Sequence, residues 1–272
     1  MLRKAITYPS GYKLHPSSRA KRHPIYETPG IDFIPHPIAF DSSSSQKIPT
    51  SGNAVLWRFR AEWQSISRED AQAWISRAER DRIRHYPNSA LAKRYLVGRA
   101  AVRRVLSGML GCPPDAIELA DGNDGQPHVL QPSPRTRICI HVAYAGIWVI
   151  IAAGAVDVGI GAVVPVPGGT IAQTPRFEPG TIQATLPEHL FPELQVQAQQ
   201  QARHASLFSL AVNGSLDPEP VVAAQYGAAS IVNTSTSQRC HILDLPMPGK
   251  IAAAVALAQL VTRVDAFGWI KN

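Results

Sequence analysis

Three stretches of the amino-acid sequence predict an α+β protein. Ile140 to Val163 (IHVAYAGIWVIIAAGAVDVGIGAV) is apolar almost throughout, with Asp157 its only charge, and is rich in the β-branched residues that favour buried strands. Ser89 to Leu110 carries an apolar stripe at helical spacing, and Gly111 stands where a helix C-cap belongs. Further on, Val196 to Val212 reads as a second helix. Two apolar runs, Cys240 to Leu245 and Lys250 to Leu257, follow it, split by Pro-Met-Pro-Gly, and read as strands.

Residues 1 to about 52 read as an extension outside the fold. They hold Pro9, Pro16, Pro24, Pro29, Pro35, Pro37 and Pro49, the run Ser42 to Ser45, and no sustained periodicity. Six basic residues precede the first acidic one, Glu27, as in an organelle transit peptide, but no clear amphipathic Arg/Ser-rich helix accompanies them. A disordered tail is the preferred reading, and a misassigned start would look the same. Limited proteolysis is expected to leave a fragment beginning near Val55.

Val55 to Trp63 alternates as a first strand, with Val55, Trp57 and Phe59 on one face and Leu56, Arg58 and Arg60 on the other. Ser67 caps a helix with Glu69 and Asp70 in its first turn, and that helix is expected to run to about Arg84. Pro87 and Asn88 break it. In the long helix that follows, Leu91, Tyr95, Leu96, Val102, Leu106 and Met109 form the stripe, and Arg94, Arg99, Arg103 and Arg104 occupy the remaining surface. Cys112 to Leu130 ends in a turn and a short strand. In the central stretch Gly146 and Gly154 with Asp157 separate two or three strands, of which Trp148 to Ala153 is the best defined. A bend at VPVPGGT and a helical region starting over Leu186 to Leu194, with Pro187 near its first turn, precede the second helix. Residues 213 to 240 are rich in Ser, Thr and Asn and read as loop.

At 272 residues the chain is one large domain or two small halves. Its net charge of +7 comes from 27 basic residues, 20 of them arginine, and favours anionic partners without choosing among them. No apolar run is long enough for a membrane span once its Gly and charge breaks are counted. Cys112, Cys139 and Cys240 lack paired ligand spacing and read as buried thiols in a reducing compartment, so a cytoplasmic location is expected. A nucleic-acid-binding α+β protein is ranked last, because such binding needs aromatics interleaved with a basic patch and Arg94 to Arg104 offers only Tyr95.

Two ungapped runs carry a resemblance. Ile140-His141-Val142-Ala143-Tyr144-Ala145-Gly146-Ile147-Trp148 is similar to an F-N-I/L-S-H-S-G-x-W signature, and Val158-Gly159-Ile160-Gly161-Ala162-Val163 to a V-G-I/V-D-x-E signature about ten residues beyond the tryptophan. Both belong to the 4'-phosphopantetheinyl transferases of the long monomeric type, which modify acyl carrier proteins. ISRAERDRIRHY resembles the family's LS-x-x-E-R-x-R segment, KRYLVGRAAVRRVLSGMLG its h-R-x-x-x-G-R-x-x-L-R-x-x-L helix, and IAAAVALA its last strand. The resemblance covers roughly residues 55 to 258 and is thinner in the second half. It implies two pseudo-symmetric halves, each a small, mainly antiparallel sheet packed with a long helix. The boundaries expected are 1–52 for the extension, 53–154 for the first half and 155–272 for the second.

The resemblance also implies site residues. Arg94 corresponds to a residue near the coenzyme A phosphates, and Gln126 of Gly125-Gln126-Pro127 stands where the family has a phosphate-contacting lysine. Ala143, Tyr144 and Ala145 replace the family's Ser-His-Ser ahead of Gly146. Gly161, Val163 and Ala205 occupy the positions of the magnesium-binding carboxylates, and Ser209 that of the catalytic lysine. Magnesium is a hard ion that needs oxygen ligands, and three of its family positions offer none. A neutral serine without a base cannot take the proton from an attacking hydroxyl. Losing one such group costs about 3 kcal/mol of transition-state stabilisation, and here at least six are lost together. The expectation is a degenerate, monomeric member that binds coenzyme A or an acyl or peptidyl carrier protein without transferring. The alternative is an active holo-[acyl-carrier-protein] synthase with a rebuilt metal site. Arg135 and Arg137 are candidates to compensate for the lost lysine. Asp157, Asp121, Asp124 and His141 are polar groups nearby in sequence with no family role; Asp121 and Asp124 read as turn residues and His141 as a satisfied core histidine.

Overall fold

A computed structural model of the chain describes residues 6–7, 13–14, 31–41, 45, 47–63, 66–122, 125–130, 137–165, 191–212, 230–233 and 239–270. The strands are β1 (Ile6–Thr7), β2 (Lys13–Leu14), β3 (Asp32–His36), β4 (Asn53–Arg60), β5 (Leu119–Asp121), β6 (Pro127–Val129), β7 (Cys139–Ala145), β8 (Trp148–Gly154), β9 (Val158–Val163), β10 (Ser230–Asn233), β11 (Arg239–Leu245), β12 (Ala252–Leu257) and β13 (Arg263–Phe267). The helices are α1 (Arg68–Trp74), α2 (Arg77–Arg84), α3 (Ser89–Leu110) and α4 (Phe191–Val212). The protein is α+β, as the sequence predicts.

Two sheets organise it. The first runs β3-β13-β4-β8-β7 and the second β10-β11-β12-β9; β1-β2 and β5-β6 are small hairpin pairs. The same plan is used twice. A strand, β4, leads to a long helix, α3, and then to the antiparallel pair β7 and β8, whose second member returns to pair with β4. Likewise β9 leads to α4 and then to β11 and β12, and β12 returns to pair with β9. At each changeover between sheets a buried histidine holds the departing backbone: Ile160 N–H donates to His141 Nδ1 at 3.3 Å, and Val261 N–H to His241 Nδ1 at 2.8 Å.

Alternation along β4 puts Val55, Trp57 and Phe59 into the core with α3, while Ala54 and Leu56 face a second core shared with β9, β11 and β12. Both faces of β4 are therefore buried, including Arg58. Its guanidinium donates to Pro246 O and Gly268 O and lies over the Trp269 ring at 4.6 Å from the centroid.

Three sequence expectations are corrected. The helix expected from Ser67 to Arg84 is two helices. Ser76 accepts from Glu79 N–H while Glu79 returns a carboxylate to Ser76 N–H, and this reciprocal cap starts α2 afresh. Arg99 and Arg103 do not decorate a surface: each is 2 % exposed, because Glu79 turns inward from α2 to pair with both. Asp121, at the end of β5, closes the same cluster: it pairs with Arg99 at 3.0 Å and Arg82 at 2.7 Å.

The third correction concerns residues 31–41 of the expected extension, which enter the fold. β3 lies parallel to β13, which in turn lies parallel to β4, so the strand from the far end of the chain is inserted between two early ones. Phe33 on β3 is fully buried and meets Trp269 edge-on at 6.0 Å. Asp265 on β13 bonds His36 and Arg263; burial opposes its ionisation, but these partners outweigh burial and bring its pKa down to about 2. The sequence left β13 unassigned. Phe33→Ala is expected to lower stability by about 3–5 kcal/mol in chemical denaturation, the range for emptying a buried aromatic site. A loss under 1 kcal/mol would return the segment to the status of an appendage.

Candidate functional site

The residues singled out by the sequence fall into two groups on either side of β7. The first surrounds the turn between β7 and β8. Gly146 takes φ 57° there, a left-handed conformation that glycine adopts at little cost. Arg94 reaches from α3 to this turn, where its Nη1 donates to Gly146 O at 2.5 Å and its guanidinium lies 5.3 Å from the centroid of the Tyr144 ring. Burial lowers the Arg94 pKa, partly offset by Tyr144 and Tyr86, but an arginine keeps its charge through any such shift. The Tyr144 side chain rests on α3 at Gly98, where a Cβ would collide with its hydroxyl. Burial pushes the Tyr144 pKa well above its ordinary value, so the ring is a neutral donor.

Ala143 precedes Tyr144 and faces the other way, into the core shared with Val158 and Ile160 of β9. Gln126 does not project into open space: its side-chain oxygen accepts Val142 N–H at 2.9 Å, bracing β7 from the turn before β6. Arg137 is engaged with Asp157 at 2.6 Å, and the Cys139 thiol, raised to about 11 by burial, donates to the same carboxylate. Arg135 and Asp124 lie outside the described residues.

The second group forms the seam between β9 and α4. Alternate residues of β9 face the helix, and four helix residues advance about as far as two strand residues, roughly 6 Å. Gly159 therefore meets Ser206, Ser209 and Leu210; Gly161 meets Ala202, Ala205 and Ser206; and Val163 packs in one cluster with Ala198 and Ala202. Gly161, Val163, Ala205 and Ser209 are thus brought to one seam, as two signatures far apart in the chain. A Cβ at position 161 would overlap the Ala202 carbonyl oxygen and stand 2.7 Å from Ser206 N and 2.8 Å from Ala205 Cβ. Ala252, Ala254 and Ala256 of the neighbouring β12 extend the same small-residue floor beneath α4.

Sequence reasoning missed the buried ion pairs flanking these groups. Glu79 serves Arg99 and Arg103 in the first half; in the second, Asp244 on β11 accepts from Arg203 Nε at 2.8 Å and Nη2 at 2.5 Å, and from Gln199 at 2.9 Å. The signal available for the first was Glu79 in a capping position with its partners about three and four turns along the next helix; Arg203 and Asp244 gave none. The seam had one, since glycines at alternate positions of a strand mark close backbone approach. Among the described residues no group of three or more His, Cys, Asp or Glu side chains is placed to hold a metal ion, and no helix is long and apolar enough to cross a membrane.

A family model described as 4'-phosphopantetheinyl transferase, N-terminal, matches residues 61–156, from the end of β4 to the turn after β8. No curated protein matches the chain.

Proposed function

From the family-model match over residues 61–156 we propose that the chain is a 4'-phosphopantetheinyl transferase-like protein that has lost transfer and binds coenzyme A, an acyl carrier protein, or both. The observation that carries this reading is the seam of β9 and α4. There Gly161, Val163, Ala205 and Ser209 lie together and supply neither a carboxylate nor a basic amine. A pyrophosphate bound nearby would have no carboxylate-held cation to balance its charge. The carrier serine would have no side-chain base at Ser209 to receive its proton.

What supports retained binding is the first group. The Arg94 guanidinium at the β7–β8 turn is a permanent cation beside a neutral tyrosine ring and a glycine turn, a setting suited to a phosphate ester. Nucleic acid is a poor fit to the same surface, since Arg99, Arg103 and Arg104 are all engaged with carboxylates. The proposed species is a cytoplasmic monomer.

Purified protein given coenzyme A, Mg²⁺ and an apo carrier protein is expected to show no transfer above background by mass spectrometry of the carrier. Calorimetry is expected to detect coenzyme A binding that weakens about tenfold in Arg94→Ala, the loss of one charge-assisted bond, and weakens also with added salt. Melting curves of the variant separate this from unfolding, since Arg94 also braces the turn. Robust magnesium-dependent transfer by the unaltered protein would establish instead an active holo-[acyl-carrier-protein] synthase.

A further inference from the structure

Loss of ligands leaves either a vacant cleft or a filled one, and the two have different chemistry. A cleft that merely lacks carboxylates can still hold a hydrated ion beside a bound pyrophosphate, because magnesium keeps several of its waters. The contacts of β9 decide between these. At Gly161 the space for a single methyl group is already taken by α4 backbone, the Ala202 carbonyl and the Ser206 amide. At Gly159 a Cβ would overlap the Ser206 carbonyl and stand 2.8 Å from Leu210 N and 3.1 Å from Ser209 Cβ. Two successive inward positions of the strand therefore touch helix backbone over two turns, and Val163 continues the contact against Ala198 and Ala202.

A magnesium ion with a ligand shell is far larger than the methyl group that does not fit. The residues present do not suit the ion by donor type, and the seam does not suit it by volume. We propose that β9 and α4 form a closed backbone-to-backbone weld that admits no divalent cation, so that any coenzyme A held by this chain is held without metal. The last clause rests on the binding reading above; the weld itself does not.

The weld has consequences that a vacant cleft lacks. Gly161→Ala is expected to lower the melting temperature by about 5 °C or more, the scale of overpacking in a protein of this size. Adding Ala205→Gly is expected not to restore it, because the obstruction is backbone. Titration of the unaltered protein with Mn²⁺ alone, followed by the electron paramagnetic resonance of the free ion, is expected to show no binding. Calorimetry with coenzyme A is expected to give the same affinity in Mg²⁺ and in EDTA. Stoichiometric Mn²⁺ binding, an unchanged melting temperature in Gly161→Ala, rescue by Ala205→Gly, or coenzyme A binding that requires Mg²⁺ would each overturn the weld. Absence of coenzyme A binding in both buffers would defeat the binding reading alone, with the weld still judged by the Mn²⁺ and melting results.

Discussion

Glu79→Gln is expected to cost about 3–5 kcal/mol of folding free energy, the scale for removing one partner of a buried ion pair. Glu79 is 3 % exposed and is shared by two guanidinium groups that are each 2 % exposed. Without its charge, Arg103 is left with the Ile117 carbonyl at 3.2 Å and at most a share of one neutral amide oxygen, and Arg99 with Asp121, which is partly open to solvent. The pH dependence gives a second readout. Burial alone would raise the Glu79 pKa, but the bonds from Arg103, Arg99 and the Ser76 backbone bring it below its ordinary 4.5. A depressed carboxylate contributes stability that is present above the unfolded-state value and is lost as pH falls through the folded one. Urea denaturation should therefore show a large gap between wild type and variant at pH 7 and a smaller one as pH drops below 4.5. A gap under 1 kcal/mol at neutral pH, or one that widens in acid, would contradict this account.

Asp244→Ala should be as damaging in the other half, again by about 3–5 kcal/mol. Arg203 would lose both carboxylate oxygens at once while remaining buried between α4 and β11, and Gln199 would keep the Ala253 carbonyl. The informative control removes both charges. Arg203→Met with Asp244→Leu fills similar volume and leaves no buried cation, so it should retain more stability than Asp244→Ala alone. If the double variant is the weaker of the two, the pair contributes more than it costs to bury, and the estimate for Glu79 must rise as well.

The elements were legible where one signal sufficed. The α3 stripe ended by Gly111, and the β-branched run of β8, define their structure locally. The α1–α2 break was legible in principle, since Ser76 and Glu79 stand three apart, yet helical periodicity continues across it and masked the cap. What was not legible depends on partners distant in sequence. Arg99 reads as a surface cation until Glu79, twenty residues earlier, is seen turning inward. β3 and β13 are short and carry Pro35 and alternate charges, so neither reads as core strand without the other beside it. At the candidate site the resemblance singled out positions 161, 163, 205 and 209, which the structure brings to one seam. It did not indicate that Gly161 had been closed over by α4, because a glycine signals permission for an approach and not what approaches.

The insertion of β13 between β3 and β4 also sets a timetable. Among the described residues β3 has no strand neighbour except β13, and the two are separated by more than two hundred residues of chain. At ordinary elongation rates a ribosome takes on the order of ten to fifty seconds to span that distance. Throughout that interval Phe33 and one edge of β4 remain without their native cover. A nascent chain in this condition presents an unpaired strand edge flanked by aromatics, which is where chaperones bind and where aggregation begins. Completion of the first sheet is then a late event of long contact range, and slow for that reason. A premature stop ahead of Arg263 would yield a product in which β3 and β4 lack the strand that joins them.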